Sequence, residues 1–358
     1  MVEKIRARFE VLDERFARVG GDEWMERIFD GGRWTEGPAY VPAGRYLVFS
    51  DIPNDRVMRW DETTGAVGVL RAPADYANGR TLDRLGRLVS CEQGTRRVTR
   101  VEHDGSVTVL ADRYRGNRFN SPNDVVEHSD GSIWFTDPSY GIDSDYEGVR
   151  APSELDGCHV YRIDRRGEVH RVADDFDRPN GLAFSADETT LYIGDSRRKH
   201  IRRFDVAGGG PAATGPAAAG PAGPGPASGG LAAAGPAGGG LAAAGPAGGG
   251  LAAAGPAGGG PTGGGPTGGG PTGGEVFATC DAGTFDGLRL DAEGRLWAAA
   301  HDGLHCFASD GTLLGKLLVP EIASNLVFGG ARRNHLFITA TTSVYAMRLN
   351  INGAVYPG

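Results

Sequence analysis

Glu36-Gly37-Pro38-Ala39-Tyr40-Val41-Pro42-Ala43-Gly44-Arg45-Tyr46-Leu47-Val48-Phe49 holds a pattern that returns along the whole chain. A single acid leads a short apolar run to Val41, a turn follows to Arg45, and a second apolar run spans Tyr46 to Phe49. Each run is too short for a helix and is bounded by turn residues, so the stretch reads as a β-hairpin. The same arrangement recurs behind Asn78, Asn123, Asn180, Asp286 and Asn325, with returning runs at Leu88 to Ser90, Ile133 to Phe135, Leu191 to Ile193, Leu296 to Ala299 and Leu336 to Ile338.

Between the fourth and fifth repeats lies a segment of different character. Residues 207–274 contain only Gly, Ala, Pro, Thr, Ser and Leu, including three copies of Leu-Ala-Ala-Ala-Gly-Pro-Ala-Gly-Gly-Gly from Leu231. Such a composition cannot bury enough apolar surface to offset its ordering entropy, so it is expected to be a disordered insert. With the insert set aside, the markers recur about every 40 residues, the period of a propeller blade with four short strands. Third and fourth strands follow, for example Val57 to Trp60 and Ala66 to Arg71. The expected fold is all-β, a six-bladed β-propeller.

A propeller must join its last blade to its first. The sixth repeat lacks a fourth strand, whereas Met25 to Phe29 stands unused before the first marker. This N-terminal strand is expected to complete the last blade, closing the ring and protecting its edges. The insert then falls at a peripheral turn of the fourth blade, where loop closure costs little. The expected organisation is an N-terminal extension over 1–24, blades over 25–206, the insert over 207–274 and the remaining blades over 275–358.

The formal charge of −8 argues against nucleic acid as a partner. No run of 18 or more apolar residues suggests a membrane span, and residues 1–19 do not read as a secretory signal. Cys91, Cys158, Cys280 and Cys306 are scattered without metal-ligand spacing, which fits reduced thiols in a cytoplasmic protein.

The first strand of each blade lines the central channel, so the six markers should converge at one face. Any one Asn or Asp beside a Gly is an ordinary turn residue. As a set, two carboxylates and several amide oxygens suit a hard divalent cation, and without one the two acids would repel. Residues after each second strand, namely Asp51, Glu92, Asp137, Asp195, His301 and Thr341, are expected to line the entrance. The long loop after Asp137, with Tyr140, Asp143, Asp145, Tyr146 and Glu147, is the candidate lid or specificity loop.

Several of these segments, taken together, resemble one family. Trp34-Thr35-Glu36-Gly37-Pro38, Ser50-Asp51-Ile52-Pro53-Asn54-Asp55-Arg56, Asn120-Ser121-Pro122-Asn123-Asp124, Trp134-Phe135-Thr136-Asp137-Pro138, Arg178-Pro179-Asn180-Gly181-Leu182, Asp286-Gly287-Leu288 and Phe337-Ile338-Thr339-Ala340-Thr341 resemble the gluconolactonase family of six-bladed propellers, which includes regucalcin. The resemblance implies a hydrolase that opens a sugar (aldono-) lactone such as gluconolactone. It implies one divalent cation, calcium first, with magnesium, manganese or zinc as alternatives. Glu36, Asn123, Asn180 and Asp286 would be its ligands and Asp286 the proton-transferring residue. Asn78, Asn123, Asp137 and Tyr140 are the expected substrate contacts. Ser121 stands where vertebrate members carry an arginine. The implied partner is a small-molecule sugar lactone, with no particular oligomeric state. Two other readings stay open: a metal-dependent phosphotriesterase or other lactonase on the same site, and a non-enzymatic calcium-binding propeller.

Overall fold

Each short apolar run pairs with the next along the chain, in a computed structural model that describes residues 2–206 and 272–354. Four consecutive strands make the antiparallel sheet of each of the first four blades. The first blade holds Thr35–Val41, Tyr46–Asp51, Arg56–Asp61 and Val67–Arg71 in that order. The second, third and fourth blades begin with Ala77–Leu82, Val125–Glu127 and Pro179–Phe184. The fifth and sixth begin with Leu288–Leu290 and Ala323–Gly329. The chain folds as a six-bladed β-propeller.

The ring closes as expected. Trp24–Phe29 runs antiparallel to Val344–Arg348 and supplies the missing fourth strand of the last blade. Residues ahead of it, read from sequence only as an extension, add two further strands. Glu3–Arg6 pairs with Trp24–Phe29, and Arg8–Val11 pairs with Leu313–Leu318 on the fifth blade. The edges of both blades beside the closure are therefore covered. Phe16, in the short 3-10 turn Glu14–Phe16, fastens this segment to the core, with its ring centroid 5.9 Å from Trp297 and 6.1 Å from Phe9.

In the fourth blade, the outer strand Thr272–Thr279 pairs with His200–Asp205, so the insert leaves between its last two strands. That outer strand begins three residues before the expected Glu275. Of the insert expected to be disordered over 207–274, residues 207–271 lie outside the described residues and 272–274 belong to this strand.

Apolar side chains of neighbouring sheets fill the space between blades. Phe119, Phe135 and Tyr161 cluster in the third blade, and Tyr40, Trp60 and Phe337 join the first blade to the sixth. The period-2 alternation of short strands thus accounts for a core made of inter-sheet layers. No helix among the described residues is long and apolar enough to cross a membrane.

Candidate functional site

Every marker residue sits at an irregularity where the first strand of its blade begins. In the third blade the Asn123 N–H donates to the Thr136 carbonyl at 2.9 Å while the Thr136 N–H donates to the Asp124 carbonyl at 3.1 Å. The fifth blade repeats this with Asp286 and Gly287 against Ala299, at 3.0 and 2.9 Å. Two residues thus face one, which is a β-bulge. The registers of the first, second, fourth and sixth blades slip at the corresponding place. A bulge re-aims the side chain it carries. Here the result is a pocket of about 180 Å³ lined by Glu36, Asn78, Asn123, Asn180 and Asp286.

The glycine after a marker has a steric cause. A Cβ on Gly37 would lie 2.0 Å from the Asn78 carbonyl oxygen, and one on Gly181 would lie 2.2 Å from that of Asp286. Adjacent blades come this close because their backbones are bonded: Gly79 N–H donates to Asn123 at 2.8 Å and Gly181 N–H to Asp286 at 3.2 Å. These glycines therefore serve close blade-to-blade contact, a stronger demand than a turn.

Within the pocket the acids lack cationic partners. No Lys, Arg or His makes an ion pair with Glu36, Glu147 or Asp286 among the described residues. Glu36 Oε2 accepts from the Gly37 N–H and, at 3.0 Å, from Asn325 Nδ2. Burial nevertheless pushes the Glu36 carboxyl up to about 7, with the Asp124 and Glu147 charges adding to the rise. Asp286 lies well above the usual carboxylate range, through burial first and then the charges of Glu36, Glu147 and Asp124. Asn180 donates to Ser196 Oγ at 3.0 Å and lines the pocket with Asp286. Such a cluster is poorly satisfied by protein groups alone, and its donors are hard oxygens, which fit calcium or magnesium.

Two other acid and histidine groups lie outside this pocket. Asp281, Asp302 and His305 surround Lys316, whose Nζ bonds the two acids at 2.8, 2.9 and 3.0 Å, so their charge is already met. Asp164, Glu168 and His170 sit together at the protein surface.

The entrance residues need correction. Asp137 does not line the pocket: it is fully buried, and its two oxygens accept the Asn120 and Ser121 N–H groups, each at 2.8 Å. Asp51 accepts the Arg33 N–H at 2.9 Å, and Asp195 accepts those of Asp177 and Arg178 at 2.9 and 3.1 Å. In three blades, then, the acid ending the second strand clamps the backbone two or three residues ahead of a marker. These acids position site residues and do not face the opening. Of the six entrance candidates, only His301 lines the pocket.

The loop after Asp137 does reach the pocket. Its helical turn Tyr140–Asp143 brings Tyr140 into the pocket wall with Ser196 and Asn180, and burial pushes its phenol up to about 12. Arg178 stacks 5.2 Å from the Tyr140 ring and bonds Asp143 Oδ2 at 2.7 Å. Farther along, Arg33 of the first blade lies 5.1 Å from the Tyr146 ring. Just beyond these anchors Glu147 enters the pocket, where burial, reinforced by Asp143, pushes it up to about 7. Glu147 was expected only as part of the lid or specificity loop, because loop position alone does not show which way a side chain turns. Trp34, from the family-like segment Trp34 to Pro38, is a further wall residue, as are Ser196, Thr284 and Ile322, which had no prior signal.

A family profile described as SMP-30/Gluconolactonase/LRE-like region matches residues 34–258 and 265–342. The chain belongs to this family. A gluconolactonase of Zymomonas mobilis is 28% identical over 348 residues, covering 92% of this chain and 82% of that protein. A pentonolactonase of Haloferax volcanii is 24% identical over 325 residues, covering 88% and 84%. The solved structure of a gluconolactonase from Xanthomonas campestris superposes with a TM-score of 0.77 at 31% identity, covering 98% of this chain and 97% of that one.

Proposed function

We propose that this member of the SMP-30/gluconolactonase/LRE-like family hydrolyses a sugar lactone to the aldonic acid, using a divalent cation held by Glu36, Asn180 and Asp286 with Asn123 beside them. Lactone hydrolysis is the activity named for its gluconolactonase and pentonolactonase relatives. The observation that carries the proposal is the meeting of Glu36 and Asp286 with three asparagines in one pocket, with no ion pair to either acid among the described residues. Calcium fits this oxygen-rich donor set best.

When bound, the cation would supply Lewis-acid polarisation of the lactone carbonyl. Asp286 takes the proton of the attacking water and returns it to the ring oxygen as the C–O bond breaks, a role worth about 10²–10⁴-fold. Ser196 accepts from Asn180 Nδ2 at 3.0 Å and donates to the Phe285 carbonyl at 2.8 Å, which orients the Asn180 amide from the residue beside Asp286. Asn78, Asn123 and Tyr140 face the hydroxyls of the substrate. Asp137 has no such part, because both of its oxygens are engaged by backbone donors.

The small, polar pocket supports a compact polyol lactone ahead of a bulky phosphotriester. Four free cysteines, three of them buried, support a cytoplasmic setting. A substrate panel tests the reading: aldonolactones of five and six carbons, a homoserine lactone and a phosphotriester, each followed by acid release. Preference for the aldonolactones is expected. Turnover of the phosphotriester alone would replace the proposal with the alternative esterase.

A further inference from the structure

The channel has a second mouth, formed by the far ends of the first strands, and its chemistry is opposite to that of the lactone site. A cavity of about 380 Å³ opens there, within the usual range of small-ligand pockets. Its walls include Leu82, Leu290, Val327 and Phe328, and four arginines reach it: Arg80, Arg84, Arg289 and Arg333.

These cations are incompletely paired. Arg80 is 1% exposed, yet its guanidinium meets only neutral acceptors, the Gly37 carbonyl at 2.8 Å and Ser50 Oγ at 2.7 Å. Arg289 is 8% exposed and approaches Asp124 Oδ2 no nearer than 3.4 Å. Arg84 leaves a buried Nε without a partner, and its nearest ion-pair contact, to Glu188, is 3.6 Å. Arg333 makes no ion pair among the described residues. Of the two acids of the lining, Asp83 accepts from Arg87 Nε at 2.7 Å, while Glu127 accepts the Arg84 backbone N–H at 2.6 Å and is the one acid set against the four arginines without an ion pair among the described residues.

Buried guanidinium groups attract a planar anion that can accept paired hydrogen bonds. The apolar walls add a second requirement, because a small inorganic ion would leave them unfilled. We propose that this far mouth binds a small organic carboxylate with an apolar body, at a site separate from the lactone pocket. Charge complementarity favours this end of the channel, since the other mouth presents Glu36, Glu147 and Asp286. The surplus of cations is local, in a chain whose formal net charge is −8.

Calorimetric titration of the full chain with sodium benzoate tests the proposal, with benzamide as neutral isostere and acetate as the anion lacking an apolar body. Saturable one-to-one binding of benzoate is expected, at least tenfold tighter than benzamide or acetate. The double variant Arg84→Gln/Arg333→Gln should weaken benzoate at least tenfold and leave lactone turnover unchanged, whereas Asp286→Asn should leave benzoate binding unchanged. The proposal is overturned if benzoate does not saturate, if benzamide or acetate binds equally well, or if the double variant binds benzoate as the parent does. It is also overturned if benzoate inhibits lactone turnover competitively, which would place it in the lactone pocket.

Discussion

Asn325 Nδ2 donates to Glu36 Oε2 at 3.0 Å, linking the last blade to the first across 289 residues of sequence. The Asn325 Oδ1 meanwhile accepts the Leu326 N–H at 2.9 Å, which fixes the amide orientation. Asn325 thus holds a carboxylate in place from behind. Outer partners of metal ligands are commonly worth about 10–100-fold in affinity. Asn325→Ala should therefore weaken calcium binding by about that factor while leaving the strand content intact, as read by calcium titration and circular dichroism. Unchanged affinity would show that Glu36 needs no support from the last blade.

The buried acids predict an unusual pH response. Glu36 rises from 4.5 to about 7 on folding, so the folded chain binds this proton more tightly than the unfolded chain. Its contribution is then favourable at low pH and is lost as pH rises from about 4.5 through 7. Histidines such as His335, which burial and Arg348 lower to about 4, act in the opposite sense over part of this window. A difference measurement removes them. In chelator, Glu36→Gln should match the parent near pH 4 and exceed it by roughly 3 kcal/mol at pH 8. Saturating calcium should reverse the order at pH 8, and denaturant melts at the two pH values read both effects.

Arg178 secures the loop over the pocket through Asp143 and the Tyr140 ring. Arg178→Ala should raise KM for a lactone several-fold with a smaller change in kcat, because the loop shapes the substrate wall and Asp286 remains in place. Steady-state kinetics separate the two parameters. A fall in kcat with KM unchanged would assign the loop to the chemical step.

Phe16 couples the N-terminal strands to the fifth blade. It is 1% exposed and packs against Trp297. Phe16→Ala should cost about 3–5 kcal/mol in denaturant unfolding, the usual range for a buried phenylalanine. A loss below 1 kcal/mol would mean that the covering strands contribute little to ring stability.

Much of this architecture could be read from the chain because one hairpin repeats. The acid or amide at Glu36, Asn180 and Asp286 recurs at a fixed place, so propeller topology brings these residues to one mouth of the channel. The strands Glu3–Arg6 and Arg8–Val11 were missed because each is only four residues long and mostly exposed, which leaves no apolar alternation to detect. Asp137 was misplaced for a different reason. Position at the end of a second strand suggests an opening, but a short acid there can turn inward and clamp the Asn120 and Ser121 amides. Glu147 shows the converse: a polar loop residue enters the pocket from a loop that Arg178 and Arg33 tether at Tyr140, Asp143 and Tyr146, just ahead of it.

The most direct test of the catalytic account is acid release from gluconolactone, measured with a pH indicator for the parent and for Asp286→Asn, each after chelation and again with calcium restored. The account predicts turnover by the parent that chelator abolishes and calcium restores, with Asp286→Asn slower by about 10²–10⁴-fold in kcat. A parent rate equal to spontaneous hydrolysis with calcium, magnesium, manganese and zinc alike, or an Asp286→Asn rate equal to that of the parent, would contradict it.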